Sequence, residues 1–334
     1  KVFFVYQKSE KTQYWEEAKP YITKYYQIMN NTFGRYVYPT YSFIQGGDGG
    51  MEYGMCTMIL GEARSLEGLL GLMIHEGSHS WFQQMLATNE STKPWLDEGF
   101  TSYAESYVMY QLFPKENEPN PFIGSLKGYS YFAKSGREEP ASWLADHHDS
   151  GSAYSVASYT KGELFLVELG YIVGEETLSK IMKKYYQDWH LKHPSDRDFM
   201  HIAQLVSGMD LKWFYHYWIN TTKTIDYGIK DVKYGDTYTT ITLVNNGEVP
   251  MPIDFSVVTS DKKTINYHIP LNMMRSPKKS DFFGNFQTLD YWNWTAKEYT
   301  FSIPYKKEEL KILGIDFSQR LADVNLENNT LEVK

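Results

Sequence analysis

His75-Glu76-Gly77-Ser78-His79 lies inside a run, residues 66–86, whose apolar positions recur at helical spacing, and Trp95-Leu96-Asp97-Glu98-Gly99-Phe100 opens a second such run over 95–112. Histidines four apart stand one turn apart on one helix face, so both imidazoles can reach a single ion at about 2.0–2.1 Å. Glu98 follows His79 by 19 residues. Residues 89–94 read as a turn, which lets the second helix fold back and bring Glu98 over the histidine face. Two histidines and one carboxylate leave a fourth position open, the mark of a catalytic rather than a closed structural zinc site. Glu76 falls beside the ion, where it can take a proton from a bound water and return it to a departing group.

Working outward, helical periodicity predicts further helices over 14–31, 153–173, 175–189, 196–206 and 211–220. Residues 38–45 and 51–60 are β-branched or aromatic runs flanking Gly46-Gly47-Asp48-Gly49-Gly50, which predicts two strands joined by a glycine-rich turn. After Lys223 the texture changes to period-two alternation with turn pairs such as Asn246-Gly247 and Ser260-Asp261. About seven short strands of the immunoglobulin-like size class are expected there. The prediction is an α+β chain: a mainly helical domain with a small sheet over residues 1–223, carrying the chemistry, and a β-sandwich over 224–334.

Composition removes several classes of function. With 33 Lys and Arg against 41 Asp and Glu, the net charge of −8 offers no basic field for a phosphate backbone, so nucleic acid is not expected as a partner. The longest apolar run, 69–74, is broken by Gly71 and far shorter than the ~18 residues of a membrane span. Cys56 is the only cysteine, which rules out an internal disulfide and a cysteine-built zinc framework; it reads as a small buried hydrophobe. His147-His148-Asp149 reads as solvated, because adjacent residues do not face one ion. The sequons at Asn89 and Asn293 carry little weight. Lys1 is expected to be the product of processing or of cutting a longer chain.

HExxH followed at this distance by a glutamate in an EGF sequence resembles the gluzincin zinc aminopeptidases, the family of aminopeptidase N and leukotriene hydrolase. Gly49-Gly50-Met51-Glu52-Tyr53 resembles the family's GxMEN strand, and Ser158-Tyr159-Thr160-Lys161-Gly162 its SYxKG segment. Asp210-Leu211-Lys212-Trp213-Phe214 is similar to the last helix before the family's β-sandwich. Tyr53 departs from the pattern, standing where the family usually has asparagine.

The resemblance implies a thermolysin-like peptidase domain followed by an immunoglobulin-like sandwich. It implies one Zn2+ per chain on His75, His79 and Glu98, and removal of N-terminal residues from peptides through a zinc-bound water, with Glu76 as general base. Tyr159 is the expected oxyanion donor, with Tyr154 as runner-up. Glu52 is expected to receive the substrate's α-ammonium, with Gly49, Gly50 and Met51 letting the peptide approach an edge strand. Glu105, two turns past Glu98, is the expected partner of a ligand histidine. An N-terminal β-domain of the same full-length protein is expected as a further partner. Exported members of the family lean the compartment towards periplasmic or extracellular rather than cytoplasmic. Two other readings stand beside this one: an open-clefted endopeptidase or mixed-specificity peptidase, and a non-catalytic binding module with a vestigial site.

Overall fold

The computed structural model describes residues 1–116, 118, 120–281 and 284–334. Two compact units divide the chain. The first comprises Lys1–Phe122, Ala141–Leu166 and Ser179–Ile202, the second Ile123–Pro140, Val167–Leu178 and Ala203–Lys334. Helix gives way to strand at residues 221–226, near the expected boundary at Lys223. The units do not part there, because 123–140, 167–178 and the helices after 203 belong with the strands. No helix among the described residues is long and apolar enough to cross a membrane.

In the first unit, β1 (Val2–Val5) precedes α1 (Tyr14–Thr32), which buries Trp15, Ala18, Ile22, Tyr25 and Met29 along one stripe. β2 (Tyr41–Gly46), β3 (Gly50–Tyr53) and β4 (Cys56–Leu60) complete a sheet of order β1-β2-β4-β3. The expected second strand, 51–60, is therefore a hairpin. It folds back at Gly54 and Met55, where Met55 takes φ 60°. β4, not β3, lies beside β2 and runs parallel to it, so the glycine-rich stretch carries the chain past β4 and leaves β3 on the sheet's edge.

Ser65 caps α2 (Leu66–His79) by accepting from the Gly68 amide at 3.1 Å, and α3 (Phe100–Leu112) follows the return turn. In the second unit α4 (Ile123–Ala133) was not signalled by the sequence, where Gly124 and Gly128 dilute the helical pattern. The chain then forms α5 (Gly151–Ser155), α6 (Lys161–Val173), α7 (Glu175–Trp189), α8 (Asp196–Ser207) and α9 (Lys212–Asn220).

Among the described residues, eight strands of the second unit make two sheets. β5 (Tyr227–Tyr234), β6 (Thr239–Asn245) and β10 (Glu298–Ile303) form one, in the order β10-β6-β5. β7 (Ile253–Thr259), β8 (Thr264–Ile269), β9 (Gln287–Thr288), β11 (Leu310–Ile315) and β12 (Thr330–Glu332) form the other, in the order β12-β11-β7-β8-β9. Alternation along β6 buries Ile241 and Leu243. Phe255 of one sheet meets Phe301 of the other edge-on, with centroids 5.3 Å apart, as a sandwich core requires.

Three single π turns interrupt the helices of the first unit: Ser80–Met85 after α2, Trp95–Gly99 before α3 and Val156–Thr160 between α5 and α6. The last two cross at glycine on glycine. A Cβ at Gly162 would lie 2.8 Å from both the Gly99 Cα and the Trp95 carbonyl oxygen, which are main-chain atoms that cannot swing aside. Gly162→Ala is expected to lower the unfolding free energy by about 1–3 kcal/mol. Gly128→Ala, with open space around it, is expected to raise it by about 0.5–1 kcal/mol. Urea denaturation of the two variants checks both signs.

Candidate metal centre

α2 presents His75 and His79 on one face with ring centroids 5.0 Å apart. Glu98 comes from the π turn that opens the second helical run. Its Oε2 lies 3.4 Å from His75 Nε2 and 3.4 Å from His79 Nε2. These donor atoms fall within 4.8 Å of one another. The outer nitrogens are also occupied: His75 Nδ1 is 3.0 Å from Glu105 Oε2, and His79 Nδ1 is 2.6 Å from Asp97 Oδ1. With both Nδ1 atoms engaged by carboxylates, both Nε2 atoms are left to face Glu98.

Glu98 Oε2 is itself buried and accepts no hydrogen bond, whereas Oε1 accepts one from the Tyr159 hydroxyl at 2.7 Å. A buried carboxylate oxygen facing two imidazole nitrogens costs free energy unless ring protons or, in their place, a metal ion fill the gap. The donor set of two nitrogens and one oxygen fits zinc.

Glu76 is buried, and β3 presses on it. A Cβ at Gly50 would stand 2.2 Å from Glu76 Oε1, so only glycine allows this approach. Burial pushes the Glu76 carboxyl up to about 7, against the pull of His75 and His79 and with the repulsion of Glu52 and Glu98. Burial would raise Glu98 too, but the facing imidazoles of His75 and His79 win and hold it at about 2. Burial disfavours a charged His75; the hydrogen bond to Glu105 and the nearby Glu98 carboxylate outweigh it and lift the ring to about 9. The charge and hydrogen bond of Asp97 likewise raise His79 well above its ordinary value.

Glu52 lies on the same face of β3 as Gly50, and its carboxylate falls within 4.8 Å of donor atoms of His79 and Asp97. Met51 and Tyr53 alternate to the other face, where Met51 pairs with Met58 and both Met51 and Tyr53 are exposed. The Met51 side chain thus points away from Glu76, and what Met51 brings to the edge strand is its main chain. Gly49, at φ +36°, has open space beside it.

Tyr159 lies flat against His75, with centroids 5.8 Å apart and planes 13° apart, and Tyr154 meets Tyr159 edge-on. Burial, then the Glu98 charge, pushes the Tyr159 hydroxyl far above its ordinary value, so it stays protonated. His148 packs on Trp143 and Tyr154 and, with His147 and Asp149, belongs to neither group of potential ligands among the described residues. Cys56 is half-buried on β4. Asp97 was not singled out from the sequence. Its position directly before Glu98 was the available signal.

The family model for the Peptidase family M1 domain matches residues 22–218. Aminopeptidase B of Rattus norvegicus is 28% identical over 199 residues, covering 55% of this chain and 30% of that protein. Leucine aminopeptidase 2 of Chaetomium globosum is 25% identical over 156 residues, covering 43% and 24%. The chain thus spans less than a third of the length of these relatives. Among solved structures, an aminopeptidase A of Legionella pneumophila in complex with aspartic acid superposes with a TM-score of 0.68 at 14% identity, over 96% of this chain and 36% of that one. An M1 zinc metallopeptidase of Deinococcus radiodurans gives 0.53 at 16% identity, over 65% and 46%. At these identities the structural likeness concerns the fold.

The raised histidines set a pH dependence. At pH 7, below the value of about 9 for His75 and below that of His79, both rings carry a proton that a metal ion must expel. Zinc titrations by calorimetry in buffers of different ionisation enthalpy are expected to report proton release at pH 7, declining as pH rises past about 9. Heats independent of the buffer would contradict this charge assignment.

Proposed function

Because the chain belongs to peptidase family M1, we propose that it is a zinc-dependent aminopeptidase acting on the N-termini of peptides, with His75, His79 and Glu98 holding the ion. The observation that carries the reading is the convergence of His75 Nε2, His79 Nε2 and the orphaned Glu98 Oε2. Bound there, zinc would supply Lewis acidity to the scissile carbonyl and to the attacking water.

The chain's own residues do the rest. Glu76, buried and lifted to about 7, is poised to take a proton from the water and pass it to the departing amine, the two halves of one acid–base cycle. Tyr159 keeps its proton and stands against His75, from where its hydroxyl can be offered to the oxygen that gains negative charge. Glu52, beside the edge strand, supplies a carboxylate for the peptide's α-ammonium in a charge-assisted hydrogen bond. The edge of β3 would take the substrate main chain as an added strand.

Three measurements test the reading. Glu76→Gln is expected to retain zinc while turnover falls by about 10²–10⁴-fold. Tyr159→Phe is expected to lower kcat by roughly 10²–10³-fold with KM little changed. A peptide and its N-acetylated form are expected to differ strongly in kcat/KM; equal turnover would exclude recognition of a free amino terminus and leave an endopeptidase.

A further inference from the structure

A histidine that gives Nε2 to a metal must carry its proton on Nδ1, and the acceptor that holds that proton fixes the ring's tautomer and direction. For His79 the acceptor is Asp97, at 2.6 Å. The Asp97 side chain is 2% exposed, and its only ion-pair partner among the described residues is His79. The next residue, Glu98, addresses the other nitrogen of the same ring at 3.4 Å. Consecutive helical side chains diverge by about 100°, so the two carboxylates come to the ring from different sides, one at each nitrogen. Both stand in the π turn Trp95–Gly99.

His75 is served differently. Its acceptor Glu105 comes from a regular part of α3, stands 3.0 Å away and has a side chain 33% exposed, so water competes for and screens that contact.

We propose that Asp97 is a positioning residue for the metal, its buried carboxylate holding His79 with Nδ1 protonated and Nε2 turned to the ion. The inference rests on the zinc reading above. It makes the two histidines unequal: His79 is held by a buried charge, His75 by a screened one.

The test is the zinc dissociation constant of the chain, by chelator competition, for wild type, Asp97→Asn and Glu105→Gln, with the unfolding midpoint of each metal-free protein measured alongside. Asparagine still accepts a hydrogen bond but brings no charge, so Asp97→Asn is expected to bind zinc ~10–100-fold more weakly and Glu105→Gln to lose less. A purely structural Asp97 would shift the midpoint and leave zinc affinity within about twofold of wild type, and that result would overturn the inference. So would a loss no larger than that of Glu105→Gln. A wild type that takes up no zinc would instead overturn the metal reading, and this inference with it.

Should Asp97→Asn fail to fold, nitrogen-15 spectra of the zinc-loaded wild type decide the point without any substitution. His79 protonated at Nδ1 and coordinated through Nε2 is expected; coordination through Nδ1 would sink the idea.

Discussion

One carboxylate oxygen, Glu98 Oε2, is buried without a hydrogen-bond donor and faces two imidazole nitrogens at 3.4 Å. Around it the first unit gathers π turns and close glycine approaches. All three of its π turns adjoin the residues concerned: one begins directly after His79, one contains Glu98 and one contains Tyr159. A π turn has poorer hydrogen-bond geometry than an α turn and persists where the surroundings over-determine it. The glycine contact at Gly99 and Gly162 does that here, locking the segment of Glu98 to the segment of Tyr159 at main-chain distance. Their 2.7 Å hydrogen bond is a consequence of that lock.

Gly50 plays the same part on the other side. The general-base candidate Glu76 is capped by a strand whose main chain comes so near that a methyl group would strike its carboxyl. Burial, to which this strand contributes, is the main reason the Glu76 carboxyl rises to about 7. Removal of bulk at a backbone position and tuning of an acid are thus one event. It also gives a reason for glycine at position 50 that substrate approach alone does not require.

Much of this was legible beforehand. Apolar spacing located α1, α7, α8 and α9 to within a few residues, and α2 and α3 together with the π turns that adjoin them. The histidine pair and its distant glutamate were legible for the same reason, as spacing on helix faces. What escaped the sequence was local geometry without a periodic signature. Asp97 stands next to Glu98 with no face-sharing spacing to the histidines, whereas Glu105 follows Glu98 by two regular turns, a spacing that the sequence displays. The hairpin inside residues 51–60 escaped because its turn is made by Met55 at positive φ, a residue that carries no turn signal. β1 is four residues long and takes its order from pairing with β2, which no local pattern announces.

The charges around the centre argue for what it receives. Glu52, Glu76, Asp97, Glu98 and Glu105 surround two histidines, and no lysine or arginine is ion-paired with any of the five among the described residues. Once the histidines are neutral ligands, the cluster has an excess of negative charge that buried groups cannot sustain unless cations enter. A divalent ion accounts for the part nearest Glu98. Glu52 remains, at the strand edge and outside the first group of ligands, and its unneutralised carboxylate is the charge that the proposed recognition of a peptide's amino terminus would draw on.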